Sequence, residues 1–88
     1  MGNFSGGSAY AMSREIAEGY ILLNTHSLKK FTPDQLKQLS FELDRVQKEL
    51  RAETTDPNDS MAIQKRGRKL GRISQALLMI NATKTARP

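Results

Sequence analysis

Eighty-eight residues without a single cysteine make at most one small domain, and they exclude a disulfide framework, a thiolate metal site and a cysteine nucleophile. The net charge of +5 hides a polarised chain: residues 1–32 sum to +1, residues 33–60 to −3, and residues 61–88 hold seven Lys or Arg and no acid. The longest apolar runs, Tyr20 to Leu23 and Ala76 to Ile80, fall far short of the roughly 20 residues a membrane-spanning helix needs, and no secretory signal pattern is visible, so a cytoplasmic setting is expected.

Residues 1–11 contain three of the six glycines and no apolar period, the composition of a flexible tail or linker, and residues 1–12 are expected outside any core. With about 70 to 75 usable residues, a single core supplies only about 3–5 kcal/mol, so association with a second copy or a partner is a reasonable expectation. Ser13 reads as the N-cap of a first helix over 13–24, with Glu15 in its first turn and Ile16, Tyr20 and Leu23 on one face. Gly19 weakens that helix by about 1 kcal/mol relative to Ala, so it must dock on the rest of the chain.

The strongest local signal follows. In Phe31-Thr32-Pro33-Asp34-Gln35-Leu36, Thr32 and Gln35 have the spacing of a reciprocal capping box. Pro33 stands at the first helical position, where its missing N–H costs nothing, and Phe31 and Leu36 stand where a hydrophobic staple forms. A helix over 33–53 is predicted. Its Leu36, Leu39, Leu43, Val46 and Leu50 alternate spacings of three and four, the seam of a coiled coil.

Asp56-Pro57 offers a second cap-plus-proline start, for a helix over 57–82. Ile63, Leu70, Ile73, Leu77 and Ile80 carry its apolar register, and the short loop forces it antiparallel to the preceding helix. Pairing residues whose numbers sum to about 110 sets Leu50 near Met61, Leu43 near Gly67, Leu39 near Leu70 and Gly71, and Leu36 near Ile73. On this register Gly67 and Gly71 make room for bulky side chains of the facing helix.

Lys65-Arg66-Gly67-Arg68-Lys69-Leu70-Gly71-Arg72 concentrates five cations in eight residues. Arg66 falls on the seam within reach of Glu49, and Lys69 flanks it opposite Glu42. Lys65, Arg68 and Arg72 fall on the outer face as a positive stripe. The plain reading is a solvated helix face. The functional one is nucleic-acid binding, RNA ahead of DNA, because a row of guanidinium groups offers paired donors to successive phosphate oxygens. Lys29 and Lys30, with Lys84 and Arg87, would support it. No aromatic residue interleaves with the run, so such binding would read backbone and shape.

Phe41 lies off the seam, covered by the first helix or else part of a protein interface, and Leu78 and Met79 lie off it near the end of the last helix. Together they suggest a second apolar face that docks the first helix or forms a dimer. His26 is the lone histidine, so no metal cluster and no Ser-His-Asp arrangement is expected, and no glycine-rich loop has P-loop spacing. No enzyme activity, cofactor or small-molecule ligand is inferred.

In outline the Thr32 to Thr83 hairpin, with its basic run ahead of the apolar stretch Ile73 to Ile80, resembles the two-helix ribosomal proteins of the large-subunit tunnel exit. The resemblance covers about 50 residues, rests on architecture and charge, and implies contact with RNA; the extra N-terminal helix departs from it. The expected protein is therefore all-α: a coiled-coil-like antiparallel two-helix hairpin with a short N-terminal helix packed on it, three helices in one domain over 13–82, and a tail over 83–88. Its expected function is nucleic-acid backbone binding through Lys65, Arg68, Arg72, Lys69, Lys29 and Lys30. The alternative is a protein-interaction or homodimerisation module using Phe41, Leu78 and Met79.

Overall fold

The structure, a computed structural model, describes residues 7–53 and 56–86, with side chains as far as Thr83. Residues 1–6 of the expected N-terminal tail, Arg87, and the side chain of Lys84 lie outside what is described. Among the described residues the fold is all-helical, in four helices: α1 (Ala9–Glu18), α2 (Thr25–Leu28), α3 (Pro33–Ala52) and α4 (Ser60–Ala86).

α1, α2 and α4 differ from the expected set, α4 running on to Ala86 where a tail over 83–88 was expected. α1 begins a turn before Ser13, because Ser8 is the cap: its extended backbone turns the side-chain oxygen onto the Ala11 N–H at 3.0 Å. Ser13 is instead fully buried, its hydroxyl donating to the Ala9 carbonyl at 2.8 Å. Ala9 and Met12, expected in the tail, are core residues. The helix also stops early. Gly19 takes a left-handed φ of 87°, its N–H reaches the Ile16 carbonyl, and the Tyr20 N–H reaches that of Glu15, a Schellman ending. Tyr20 is thereby thrown out of the face it was expected to share with Ile16 and Leu23. The second difference is α2, a single turn capped by Asn24, whose side chain accepts from the Ser27 N–H at 2.8 Å; it delivers Leu28 into the core.

α3 starts as read. The Gln35 N–H donates to Thr32 Oγ1 at 3.1 Å and the Thr32 N–H to Gln35 Oε1 at 2.9 Å, closing the box, and Phe31 and Leu36 are both buried. Leu36, Leu39, Leu43, Val46 and Leu50 form the buried face of α3. α4 starts three residues later than expected. Asp56-Pro57-Asn58-Asp59 is a turn, held by the Asn58 N–H on Asp56 Oδ1 and the Asp59 N–H on the Asp56 carbonyl, and Asp59 caps α4 by accepting from the Ala62 N–H at 3.1 Å.

The antiparallel pairing of α3 and α4 is present, but its register corrects the expected one. Gln47 Nε2 donates to Ser74 Oγ at 3.2 Å, where the expected pairing set Gln47 opposite Ile63, and Arg66 donates to the Glu53 carbonyl at 2.8 Å. The physical reason is that the turn over 56–59 consumes chain without reversing it immediately at the end of α3, so the opening turns of α4 overhang. Met61 and Ile63 are accordingly exposed, while Ile73, Ala76 and Ile80 hold the core. Gly67 and Gly71 face no helix: a Cβ built at either meets nothing within 4 Å. α1 packs against both α3 and α4, with Met12, Ile16 and Ala17 closing the core.

Two consequences can be measured by urea unfolding. Gly67→Ala and Gly71→Ala each raise stability by about 0.5–1 kcal/mol, since they gain helix propensity without a clash; a loss would place a packed neighbour over them. Leu43→Ala costs about 2–5 kcal/mol, the range for a buried leucine that leaves a cavity.

Candidate functional site

The five cations of the basic run do different things. Arg66 reaches past the expected Glu49 to the Glu53 carbonyl, so a cation closes the C-terminal end of α3. Lys69 pairs with Glu18 of α1 at 2.8 Å in place of Glu42. Arg72, placed by the register on the outer face, turns its guanidinium across the end of α1, where one nitrogen donates to the Ala17 carbonyl at 3.0 Å. That group lies so close over Gly19 that a Cβ there would come within 2.9 Å of it. The left-handed φ of Gly19 is what calls for glycine; a Cβ there would also push aside the flexible end of Arg72. The Lys69 ammonium bonded to Glu18 is the main cause that holds its carboxyl below the ordinary range, and the charges of Lys69, Arg14 and Arg72 act in the same direction.

Lys65 and Arg68 remain exposed, and among the described residues neither forms an ion pair. Lys29 and Lys30 are exposed too, but they stand just before the start of α3, whereas Arg66 is bonded at its end. Twenty helical residues at 1.5 Å each separate those ends by about 30 Å. The basic residues singled out in the sequence therefore do not form one continuous surface.

The apolar candidates separate as well. Phe41 is 68% exposed: it projects from the side of α3 opposite the buried Leu36 to Leu50 face, and α1 does not cover it. α1 reaches only the flank of α3 next to it, where the Tyr10 hydroxyl donates to Glu49 at 2.9 Å and the Arg45 guanidinium sits 4.9 Å from the Tyr10 ring centre. Glu49, by accepting that proton, holds the Tyr10 phenol above its ordinary value. Phe41 borders a groove along α3 whose other walls, Asp44, Arg45, Lys48 and Glu49, mix both signs of charge. Leu78 is 69% exposed, and Met79, about 100° further round α4, is half-buried and faces a different feature.

That feature is a cleft of about 420 Å³ between residues 19–24 and α4, and the sequence reading missed it. Ile16, Leu23 and Ala76 form its apolar floor, Ile21, Leu22 and Met79 its walls, and Gly19, Arg72, Gln75 and Asn24 its polar ends. Leu22 is 87% exposed and the neighbouring Tyr20 80%. The signal was present: Tyr20-Ile21-Leu22-Leu23 is an apolar run directly after a glycine, and an αL stop at Gly19 puts it on the surface between helices instead of inside one.

Among the described residues no group of three His, Asp or Glu side chains is placed to hold a metal ion, and no helix is long and apolar enough to cross a membrane. The chain matches no family model, no curated protein and no solved structure.

The Glu18–Lys69 pair gives a pH signature. Because the folded carboxyl titrates below the ordinary value of 4.5, its stabilisation is fully present above that value and is lost as pH falls through the lowered one. Thermal melts should show a decline on acidification that is shallower in Glu18→Gln. Equal slopes in the two proteins would place the acid sensitivity elsewhere.

Proposed function

We propose that this chain is a small, non-enzymatic protein-binding module of the cytoplasm that works through the cleft between residues 19–24 and α4. The observation that carries the reading is the exposure of Leu22 and Tyr20 beside a concavity floored by core side chains. A single exposed leucine is ordinary on a folded surface; an apolar cluster around a concavity with a few polar groups at its ends is the usual form of a binding site. The small core adds support, since about 80 residues gain stability by burying such a surface against another chain.

Nucleic-acid backbone binding is the second reading, favoured by seven cations without an acid over residues 61–88. Its weight falls on Lys65 and Arg68, which are exposed and form no ion pair among the described residues, with Lys69 and Arg72 partly engaged by α1. With the free donors of Arg72 included, three phosphate contacts give a salt slope of only about −2.7 on duplex DNA, a modest interaction.

The two readings separate in one set of measurements. A photo-crosslinking residue at Leu22 should give a discrete protein adduct in cells, competed by excess purified chain but not by its Leu22→Asp variant, while the same probe at the exposed Gln38 gives none. RNA and DNA titrations at several salt concentrations should show no more than shallow, sequence-independent binding. Absence of an adduct at Leu22, with tight RNA binding abolished by Lys65→Ala and Arg68→Ala, would replace the first reading with the second.

A further inference from the structure

We infer that the cleft and the cations beside it form one bipartite site for an acidic segment of a partner protein. A large apolar side chain seats against Ile21, Leu22 and Met79, while carboxylates meet Arg72, Arg68 and Lys65. The inference rests on the protein-binding reading above and specifies the partner's chemistry.

Continuity comes from the helix. Met79, Arg72, Arg68 and Lys65 are separated by seven, four and three residues, which brings them to one side of α4. Arg72 belongs to both parts: it walls one end of the cleft and is the first cation of the track. Only one of its nitrogens is bonded to Ala17, and the remaining guanidinium donors are available for a carboxylate. From Arg72 to Lys65 the track runs about 10 Å, two turns of helix, so carboxylates one turn apart on a partner helix match it.

Charge complementarity selects the occupant. Residues 61–88 contain no acid, and Glu18, the carboxylate at the end of α1, is already held by Lys69. A second copy of this chain is a poor fit: its own α4 carries the same cations, and the groove beside its Phe41 mixes Asp44 and Glu49 with Arg45 and Lys48. Nucleic acid would satisfy the track and leave the apolar half unfilled. A bilayer presents a plane, whereas the apolar lining here is concave, with the buried Ile16, Leu23 and Ala76 at its base.

The test uses the whole purified chain against a phage-displayed random-peptide library, followed by anisotropy titrations of the best synthetic peptide. Selected peptides should share an apolar anchor followed by acids one and two turns away. Leu22→Asp and the double variant Lys65→Glu/Arg68→Glu should each weaken binding about tenfold or more, whereas Lys29→Glu/Lys30→Glu leaves it unchanged. A peptide with its acids changed to lysine should recover affinity for the Lys65→Glu/Arg68→Glu chain. These sites are exposed, and circular dichroism melts check that each variant folds.

Selection without an acid requirement, or affinity indifferent to Lys65→Glu/Arg68→Glu, overturns the bipartite site. If Leu22 still crosslinks a protein, the broader reading survives that failure; if it does not, both fall. Tighter binding to phosphatidylserine vesicles or to RNA than to any selected peptide, lost in the same double variant, also overturns it by assigning the cations to phosphate.

Discussion

The end of α1 is the constraint on which the rest of the surface depends. Gly19 in a left-handed conformation stops the helix, and the stop leaves carbonyls that need donors. The Tyr20 and Gly19 amides satisfy those of Glu15 and Ile16, and Arg72 reaches across from α4 to satisfy that of Ala17. Lys69 binds Glu18 a turn away. A cation at a helix C-terminus is favoured by the macrodipole, so the local chemistry that ends α1 also fixes where α1 sits on α4. That fixed point and the buried Leu23 together hold the segment 19–24 along α4, where it lines the cleft.

The same contacts explain why a basic run that looks uniform in sequence divides in the fold. Arg66 closes the end of α3, Lys69 and Arg72 the end of α1, and Lys65 and Arg68 are exposed on α4. Arg66 and Arg72 are held there by hydrogen bonds to carbonyls, and Lys69 by the Glu18 carboxylate. Part of the positive field of α4 is thus structural in origin and still available to a ligand alongside, which is how Arg72 belongs to both the architecture and the cleft.

What the sequence disclosed was local, and what it concealed was relative. The Thr32–Gln35 box with Pro33 is set by four neighbouring residues, and the leucine seam of α3 needs only its own period; both are present as read. The first cap was misplaced because Ser8 and Ser13 are chemically equal candidates, and only the burial of Ala9 and Met12 against α3 and α4 decides between them. The register of the hairpin depended on how much chain the Asp56–Asp59 turn takes up, and one Asx turn shifts every pairing after it. Gly67 and Gly71 were assigned a packing role from that register and lost it with the register. For the site, Arg72 was legible as a cation and Met79 as an off-seam apolar residue. Their convergence with Leu22 was not, since it depends on α1 stopping at Gly19.

The cleft is also held at both ends, and this bears on how it would bind. Residues 19–24 run from the Schellman ending of α1 to the Asn24 cap of α2, with Leu23 buried between them as an anchor. At its far end α1 is held on α3 by the Tyr10–Glu49 hydrogen bond and the Arg45 contact, so the helix that carries the segment is fixed at both termini. A wall so constrained has little conformational entropy left to lose when an apolar side chain enters, and side-chain and loop ordering are among the main costs of association. An exposed Leu22 on an unconstrained loop would collapse onto the nearest apolar surface. Held between two caps, it stays in solvent at the edge of a preformed concavity, where a partner side chain can cover it.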